Sequence, residues 1–219
     1  MDLERHVLFS VVGLSVTSTV VVTFSMVVVL SSLALTAGRG IRERPARWQA
    51  AAEWGLGGLA DMLEEVTGSR TRYLSLVASL AVFVLAANSM GVLPFVEAPT
   101  ADLNTPVALA LIVFFSVHYY GVREAGVVGY LGKFARPTVL LLPINILAHV
   151  TRTLSLAIRL FGNMVSHQII VAILLVILPL MVPAMLELFG LLIGVLQAYI
   201  FTVLTIVYIG GAVRAGGEL

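Results

Sequence analysis

Five runs of apolar residues, each long enough to cross or nearly cross a membrane, limit what this chain can fold into. They cover residues 7–37, 73–93, 103–120, 138–177 and 184–213. A helix needs roughly 20 apolar residues to cross a bilayer, where only helices and closed barrels satisfy every backbone polar group. Hydrophobic residues make up 59% of the chain and charged residues 11%, and the mean hydropathy is +1.04. The sequence therefore predicts a membrane protein with several spans.

The first run, residues 7–37, is predicted to be a membrane helix that is retained. It exceeds the roughly 7–15 apolar residues of a signal peptide, and nothing in it resembles a cleavage site. The run is rich in Val, Ser and Thr, which are poor helix formers in water. We expect a helix nevertheless, because lipid leaves the backbone no other hydrogen-bonding partner.

Residues 45–67 are predicted to form an amphipathic helix that lies along the membrane interface. Helical spacing relates Leu56, Leu59, Met62, Leu63 and Val66, and Trp48 and Trp54 are expected to be interfacial anchors. The alternative, a small globule in the cytoplasm, has too few residues to bury a core.

The predicted fold is thus all-α: a single membrane domain, 1–219, with five transmembrane helices, this interfacial helix and a long, tilted C-terminal helical hairpin. Pro179 and Pro183 are expected to break the chain between the two hairpin helices.

The basic residues predict how the spans are oriented. Ten of the thirteen are assigned to the same side of the membrane: Arg39, Arg42, Arg44, Arg47, Arg70, Arg72, Arg123, Lys133, Arg136 and Arg214. Only Arg5 falls on the other side, and the loops 94–102 and 178–184 contain no basic residue. Because short cytoplasmic loops carry an excess of Lys and Arg, we expect the N-terminus outside and the C-terminus inside.

Arg159 lies near the middle of the fourth apolar run, too far from either end to reach the membrane surface easily. An arginine stays charged at physiological pH, so its placement predicts a functional role and a counter-charge. At 100° per residue, several polar residues lie within about 40° of Arg159 on the helix: Asn145, Arg152, Ser155, Asn163 and Ser166. His149 and His167 lie roughly 80° away on one flank. Such a stripe predicts an aqueous path, although a single polar residue would more simply join two helices.

The fifth run is predicted to place partners opposite this stripe. Gln197 is expected at the depth of Arg159, where its amide could accept from the guanidinium. Glu187 is expected at the depth of His167 and Gln168, and this group could pass protons. The alternative for Glu187 is an interfacial carboxylate near Pro183. Residues 190–194 form a GxxxG pattern, which permits close helix packing.

Three blocks of sequence carry a resemblance to a known family. They are residues 143–145 (PIN), 154–164 (LSLAIRLFGNM) and 196–209 (LQAYIFTVLTIVYI), and residues 88–94 and 101–105 add weaker signatures. Together they resemble subunit a of F-type ATP synthases over essentially the whole chain beyond Val7. The resemblance implies that Arg159 is the family's essential arginine, with Asn163 its nearby asparagine and Gln197 its glutamine.

The resemblance also implies the partners and the setting. It implies a stator beside a ring of small hairpin subunits (the c-ring), joined to peripheral-stalk subunit b and the rest of the complex in a bacterial inner membrane. Some positions depart from the family pattern: Gln168 stands where bacterial relatives often carry glutamate, and Ala148 and His149 stand where acidic residues are expected. Glu187 lies ten residues before Gln197, whereas the family commonly places a carboxylate or histidine at Gly190. Protons are the expected ion, and a sodium-coupled F-type or N-type ATPase is the alternative.

Several other functions are disfavoured. The chain has no cysteine for thiolate metal sites, no phosphate-binding loop and a net charge of only +1. We therefore expect no cofactor, no metal and no nucleic acid, with ATP chemistry left to partner subunits. A secondary transporter would require internal repeats and broken paired helices, which the sequence lacks. An intramembrane hydrolase is equally disfavoured because no HExxH motif or Ser–base pair is evident.

Overall fold

The computed structural model describes residues 7–11, 14–39, 47–91, 98–134, 139–177 and 181–217. Six helices make up most of this part: α1 (Ser18–Arg39), α2 (Arg47–Thr67), α3 (Leu74–Met90), α4 (Asn104–Phe134), α5 (Leu142–Ile177) and α6 (Met181–Gly217). Short 3₁₀ turns at Pro99–Ala101 and Val139–Leu141 precede α4 and α5. The predicted turn at Pro179 and the side chain of the predicted anchor Trp48 lie outside the described residues.

The N-terminal segment departs from the predicted first helix. Val7–Val11 (β1) and Leu14–Thr17 (β2) pair as antiparallel strands, and α1 begins only at Ser18. The predicted start at Val7 is therefore corrected. Residues 7–17 include four Val, Phe9 and Thr17, which are residue types that favour strands, and the strand pairing satisfies much of the backbone of the described residues locally. The remaining 22 residues of α1 still suffice to cross a bilayer.

Within the part of the chain that the structure describes, four helical segments are long and apolar enough to cross a membrane, judged by length and composition: Ser18–Arg39, Asn104–Gly132, Leu142–Ile177 and Met185–Arg214. The predicted second span corresponds to α3, a shorter apolar helix of 17 residues. The predicted third span continues beyond Tyr120 as α4, which runs to Phe134. Five crossings and the tilt of the long helices stay predictions.

A kink at Gly126 redirects the end of α4. Gly126 has φ +70° and ψ 165°, a backbone conformation open to glycine but strained for other residues. Beyond it, the ring of Tyr130 packs back against Gly121, where a Cβ would lie only 2.3 Å from the ring. The segment after Gly126 thus folds back on the same helix and brings an aromatic side chain towards its middle.

Helix α6 lies at the centre of the packing. It contacts α2, α3, α4 and α5, and Phe201, Ile206 and Ile209 are almost completely buried. Pro183 falls in the first turn of α6, where a helix tolerates proline because that N–H has no helical acceptor. The predicted break at Pro183 is therefore corrected, since the helix already begins at Met181.

Helix α2 has the amphipathic character that the sequence predicts. Leu63 is fully buried, and Leu59, Met62 and Val66 pack against the same core. Trp54 is 85% exposed on the other side. The helix is tied to the end of α6 by a hydrogen bond from Arg214 to the carbonyl of Glu65. Its position along a membrane interface stays a prediction.

Candidate functional site

Arg159 lies near the middle of α5 and on its exposed side. Ser155 and Asn163, one turn before and after it, are also exposed, so the guanidinium stands on an exposed polar strip of an otherwise apolar helix. It makes no hydrogen bond or ion pair with any residue that the structure describes. Placing an arginine at the centre of a bilayer costs about 3 kcal/mol on insertion scales. This side chain therefore requires water or a partner with negative charge.

Gln197 is bonded to Asn163 and not to Arg159. The amide Nδ2 of Asn163 donates to Oε1 of Gln197 at 2.8 Å, which joins α5 to α6 one turn beyond Arg159. The predicted hydrogen bond from the Arg159 guanidinium to the Gln197 amide is thus corrected. Gln197 is only 3% exposed and points between the helices. Its Nε2 has no hydrogen-bond partner among the described residues. An unsatisfied buried donor costs about 1–3 kcal/mol, so this atom is a natural place for a water molecule.

Asn88 extends this polar contact to α3. Its Nδ2 donates to the carbonyl of Gly194 at 3.1 Å, and its Oδ1 accepts from the hydroxyl of Thr100 at 3.0 Å. Asn88 is 3% exposed, so both bonds lie in the interior. Reasoning from the residues did not assign Asn88 a role beyond its place in a family signature. The available signal was a lone amide in the last turn of an apolar helix, which needs internal partners.

His167 and Glu187 lie together, as their predicted depths require. Nε2 of His167 is 3.4 Å from Oε2 of Glu187, and both side chains are largely shielded. The GxxxG glycines explain the close approach: a Cβ at Gly190 would lie 2.3 Å from the His167 ring, and one at Gly194 would lie 3.1 Å from Asn88. These glycines therefore receive polar side chains from two other helices.

The residues just described line a common site, which we call the Gln197 cluster: Asn88, Asn163, His167, Glu187 and Gln197. All but Glu187 border one small cavity of about 10 Å³, close to the volume that one water molecule needs. Gln168, which follows His167 in the chain, is half-buried. It makes no hydrogen bond with any residue that the structure describes.

A second polar group lies on the other side of Arg159 along α5. We call it the imidazole cluster: His118 on α4, His149 and Arg152 on α5, and Tyr208 on α6. The Cζ atom of Arg152 lies 4.9 Å from the centroid of the Tyr208 ring, a cation–π contact. Arg152 and Tyr208 also border an open groove of about 500 Å³ that includes Ser155. Asn145, half-buried, lies one turn before His149.

The two clusters bracket Arg159. Counting 1.5 Å per residue, Arg152 lies about 10 Å before it and His167 about 12 Å after it along α5. Within the described ranges, no group of three or more His, Asp or Glu side chains could hold a metal ion. The two clusters thus lie on either side of the positive charge of Arg159 along the helix.

Comparison with known proteins shows which family this chain resembles. The family model for ATP synthase A chain matches residues 18–210. ATP synthase subunit a 2 of a Bradyrhizobium strain is 44% identical over 212 residues, which cover 96% of this chain and 95% of the relative. Subunit a 1 of Chlorobium luteolum is 40% identical over 91% of each chain, and subunit a of Nitrosospira multiformis is 42% identical over 91% of this chain and 81% of its own. The chain therefore belongs to the ATP synthase A chain family.

Proposed function

We propose that this chain is the ion-translocating stator subunit of a rotary ATP synthase and that Arg159 faces a ring of small subunits, each with a membrane carboxylate. One observation carries the proposal: an exposed guanidinium without a partner among the described residues stands in the middle of an apolar helix, between two polar clusters. Lipid is a poor neighbour for this charge. A rotating carboxylate supplies the missing negative charge and leaves again as the ring turns.

The guanidinium discharges each ring carboxylate that reaches it. A nearby positive charge favours the ionised form of a carboxyl group, so the bound ion is released before the carboxylate passes Arg159. A second access path then reloads the carboxylate. Each elementary charge that crosses 100 mV supplies about 2.3 kcal/mol, which biases the direction of rotation. Arg159 also repels cations and so prevents them from passing directly between the two paths.

Each path is assigned to one polar cluster. The Gln197 cluster forms the outer half-channel, with His167 and Glu187 towards the outside and Asn163 and Gln197 close to Arg159. The open groove beside Arg152 and Ser155 forms the inner half-channel. The excess of basic residues on one side supports the orientation, with the N-terminus outside and the C-terminus in the cytoplasm.

The membrane arrangement has five crossings: α1, α3, α4, α5 and α6. Helix α3 spans only about 25 Å, somewhat less than the hydrocarbon core, so we expect the bilayer or neighbouring helices to adapt around it. The complex includes the c-ring and peripheral-stalk subunit b, in the inner membrane of a bacterium. ATP chemistry takes place on other subunits. Protons are the coupled ion in this proposal, because His167 lies against Glu187 in the outer path and an imidazole nitrogen can both accept and donate a proton.

Cross-linking in the assembled complex tests the proposal. The chain contains no cysteine, so a single Ser155→Cys variant carries one defined attachment point on the Arg159 face. A cysteine-bound photo-cross-linker at this position should capture the small ring subunit. The matched control is Val28→Cys on α1, which is also exposed, at 50%, but lies on another helix.

The outcomes separate the alternatives. Capture of the ring subunit from Ser155→Cys and not from Val28→Cys supports the stator role. Failure of any small ring subunit to purify with the chain would favour a self-contained transporter and contradict the proposal. Sodium-stimulated ATP hydrolysis by the purified complex would keep the stator role and replace the proton with sodium.

A further inference from the structure

Two histidines on different helices lie side by side in the imidazole cluster. The ring centroids of His118 on α4 and His149 on α5 are 5.7 Å apart, with the planes at 69°. Both rings border a small cavity with Arg152, Thr153 and Tyr208. Of these two histidines, only His149 was predicted to belong to a site. The packing of α4 against α5 therefore brings the two histidines together, and the sequence of either helix alone does not indicate this pair.

The surroundings of His118 fix its orientation. Nδ1 lies 2.7 Å from the carbonyl oxygen of Phe114, which can only accept, so Nδ1 carries a proton and donates it. Proton exchange by this ring must then occur at Nε2. The rings of Phe114 and Tyr130 lie 4.1 and 5.8 Å from the imidazole centroid and hold it from two sides. Tyr130 reaches this position because of the kink at Gly126.

Arg152 and Tyr208 stand between the histidine pair and the open groove. Both side chains border the small cavity and also the groove of about 500 Å³. The guanidinium rests on the Tyr208 ring, which gives it a defined position. The charged and titratable groups that face the pair are thus Tyr130 from α4, Arg152 from α5 and Tyr208 from α6. An open groove next to an imidazole pair is a suitable geometry for proton exchange.

We propose that His118 and His149 together form a proton-exchange site of the inner half-channel. This rests on the proposed function, which places the start of α5 on the inner side. In the uptake direction, a groove water transfers a proton to an imidazole nitrogen, and the imidazolium then gives it to water leading to the ring carboxylate. A ring nitrogen with a free lone pair can accept a proton from water and return it. The pair therefore supplies protons to the ring when ATP hydrolysis drives pumping out of the cytoplasm.

The test uses the whole complex in liposomes, with the pH set separately on each side. In His118→Leu and His149→Leu, ATP-driven pumping should fall by about tenfold at alkaline inner pH, less than a full general acid–base effect because groove water replaces part of the relay. The loss should diminish as the inner side is acidified, since free protons then become abundant. The dependence on outer pH should stay as in the unmodified complex.

Two further variants distinguish proton exchange from packing. In His118→Asn, the amide can still donate to the Phe114 carbonyl but does not titrate, so it should behave like His118→Leu. Thr153→Val changes a non-titrating residue of the same cavity, whose hydroxyl bonds only to the backbone of His149, and should leave the inner-pH profile unchanged.

The results that would overturn the inference are specific. Normal pumping across the inner-pH range in His118→Leu and His149→Leu would exclude a proton role for the pair. Recovery in His118→Asn would show that the ring only supports packing. Neither result touches the proposed function, which would fail separately if the unmodified complex did not couple ion flow to ATP.

Discussion

Helices α5 and α6 are nearly identical in length and apolar character, yet they are packed very differently. They contain 36 and 37 residues, and each includes a stretch apolar enough to cross a membrane. Within that stretch 39% of the residues of α6 are buried, against 11% for α5. Helix α6 is surrounded by four other helices, whereas α5 buries one narrow side through Leu156, Ala157 and Leu160.

This difference indicates that α6 holds the helices together, whereas α5 provides the exposed surface. The buried side of α6 positions Gln197, whereas the open side of α5 presents Ser155, Arg159 and Asn163. Apolar residues on such an open side can face lipid at no cost, but an arginine cannot. Substitutions in the two helices should therefore fail in different ways: those of buried apolar residues in α6 by loss of folding, and those on the exposed face of α5 by loss of coupling.

The largest effect is expected at Arg159. Arg159→Ala and Arg159→Lys should both abolish gradient-driven ATP synthesis, because alanine lacks the charge and lysine lacks the planar guanidinium and can deprotonate. Alanine should also let ions leak through the membrane sector, and lysine should leak less. The measurements are ATP synthesis and passive ion flux in vesicles that contain each assembled complex.

Leu154→Ala, one exposed apolar position on the same helix, is the control and should keep synthesis near its normal rate. Substantial gradient-driven synthesis by Arg159→Ala would remove Arg159 from the mechanism. It would also remove the functional contrast between the two helices.

The next effect concerns stability. Phe201 in α6 is fully buried, and Phe201→Ala should destabilise the chain by about 3–5 kcal/mol through lost burial and a cavity. Ile158→Ala on α5 removes a side chain that is 54% exposed and should change stability far less. Thermal unfolding of the subunit in detergent or nanodiscs measures both. Equal destabilisation by the two variants would contradict the division into scaffold and surface.

A smaller effect is expected where the two helices meet. Gln197→Leu removes the acceptor of Asn163 and also an amide nitrogen that lacks a partner among the described residues. ATP synthesis should fall by about tenfold, a change of about 1.4 kcal/mol in the barrier, with coupling retained. Synthesis rates and proton leak in the assembled complex provide the measurement. If ATP synthesis were lost as completely as in Arg159→Ala, the Gln197 amide would be as essential to the mechanism as the Arg159 charge.

The smallest effect is expected at the outer end of the Gln197 cluster. Glu187→Gln combined with His167→Leu should slow proton entry from outside by about threefold, because water can replace part of the relay. The dependence of synthesis on outer pH should shift, while the dependence on inner pH should not. An unchanged outer-pH profile would mean that the pair only joins α5 to α6, or that sodium is the coupled ion.

Prediction from sequence succeeded where the helical period, or the distance of a residue from a predicted turn, carries the signal. The bounds of α2 and α5 differ from the predicted ones by a few residues, and His167 and Glu187 meet as their depths required. It failed where local and membrane preferences compete. Residues 7–17 combine a long apolar run with strong strand propensity, and the strand pairing prevailed up to Ser18.

By itself, the sequence determined the class of protein, the helices and the place of an arginine within an apolar run, because hydropathy and helical period are local properties. Only the tertiary structure decided that Gln197 bonds to Asn163, that Asn88 joins α3 to α6, and that His118 meets His149. Each of these contacts joins residues on different helices. Helix rotation and neighbour choice depend on packing among several nearly equivalent apolar faces, and no single face carries that information.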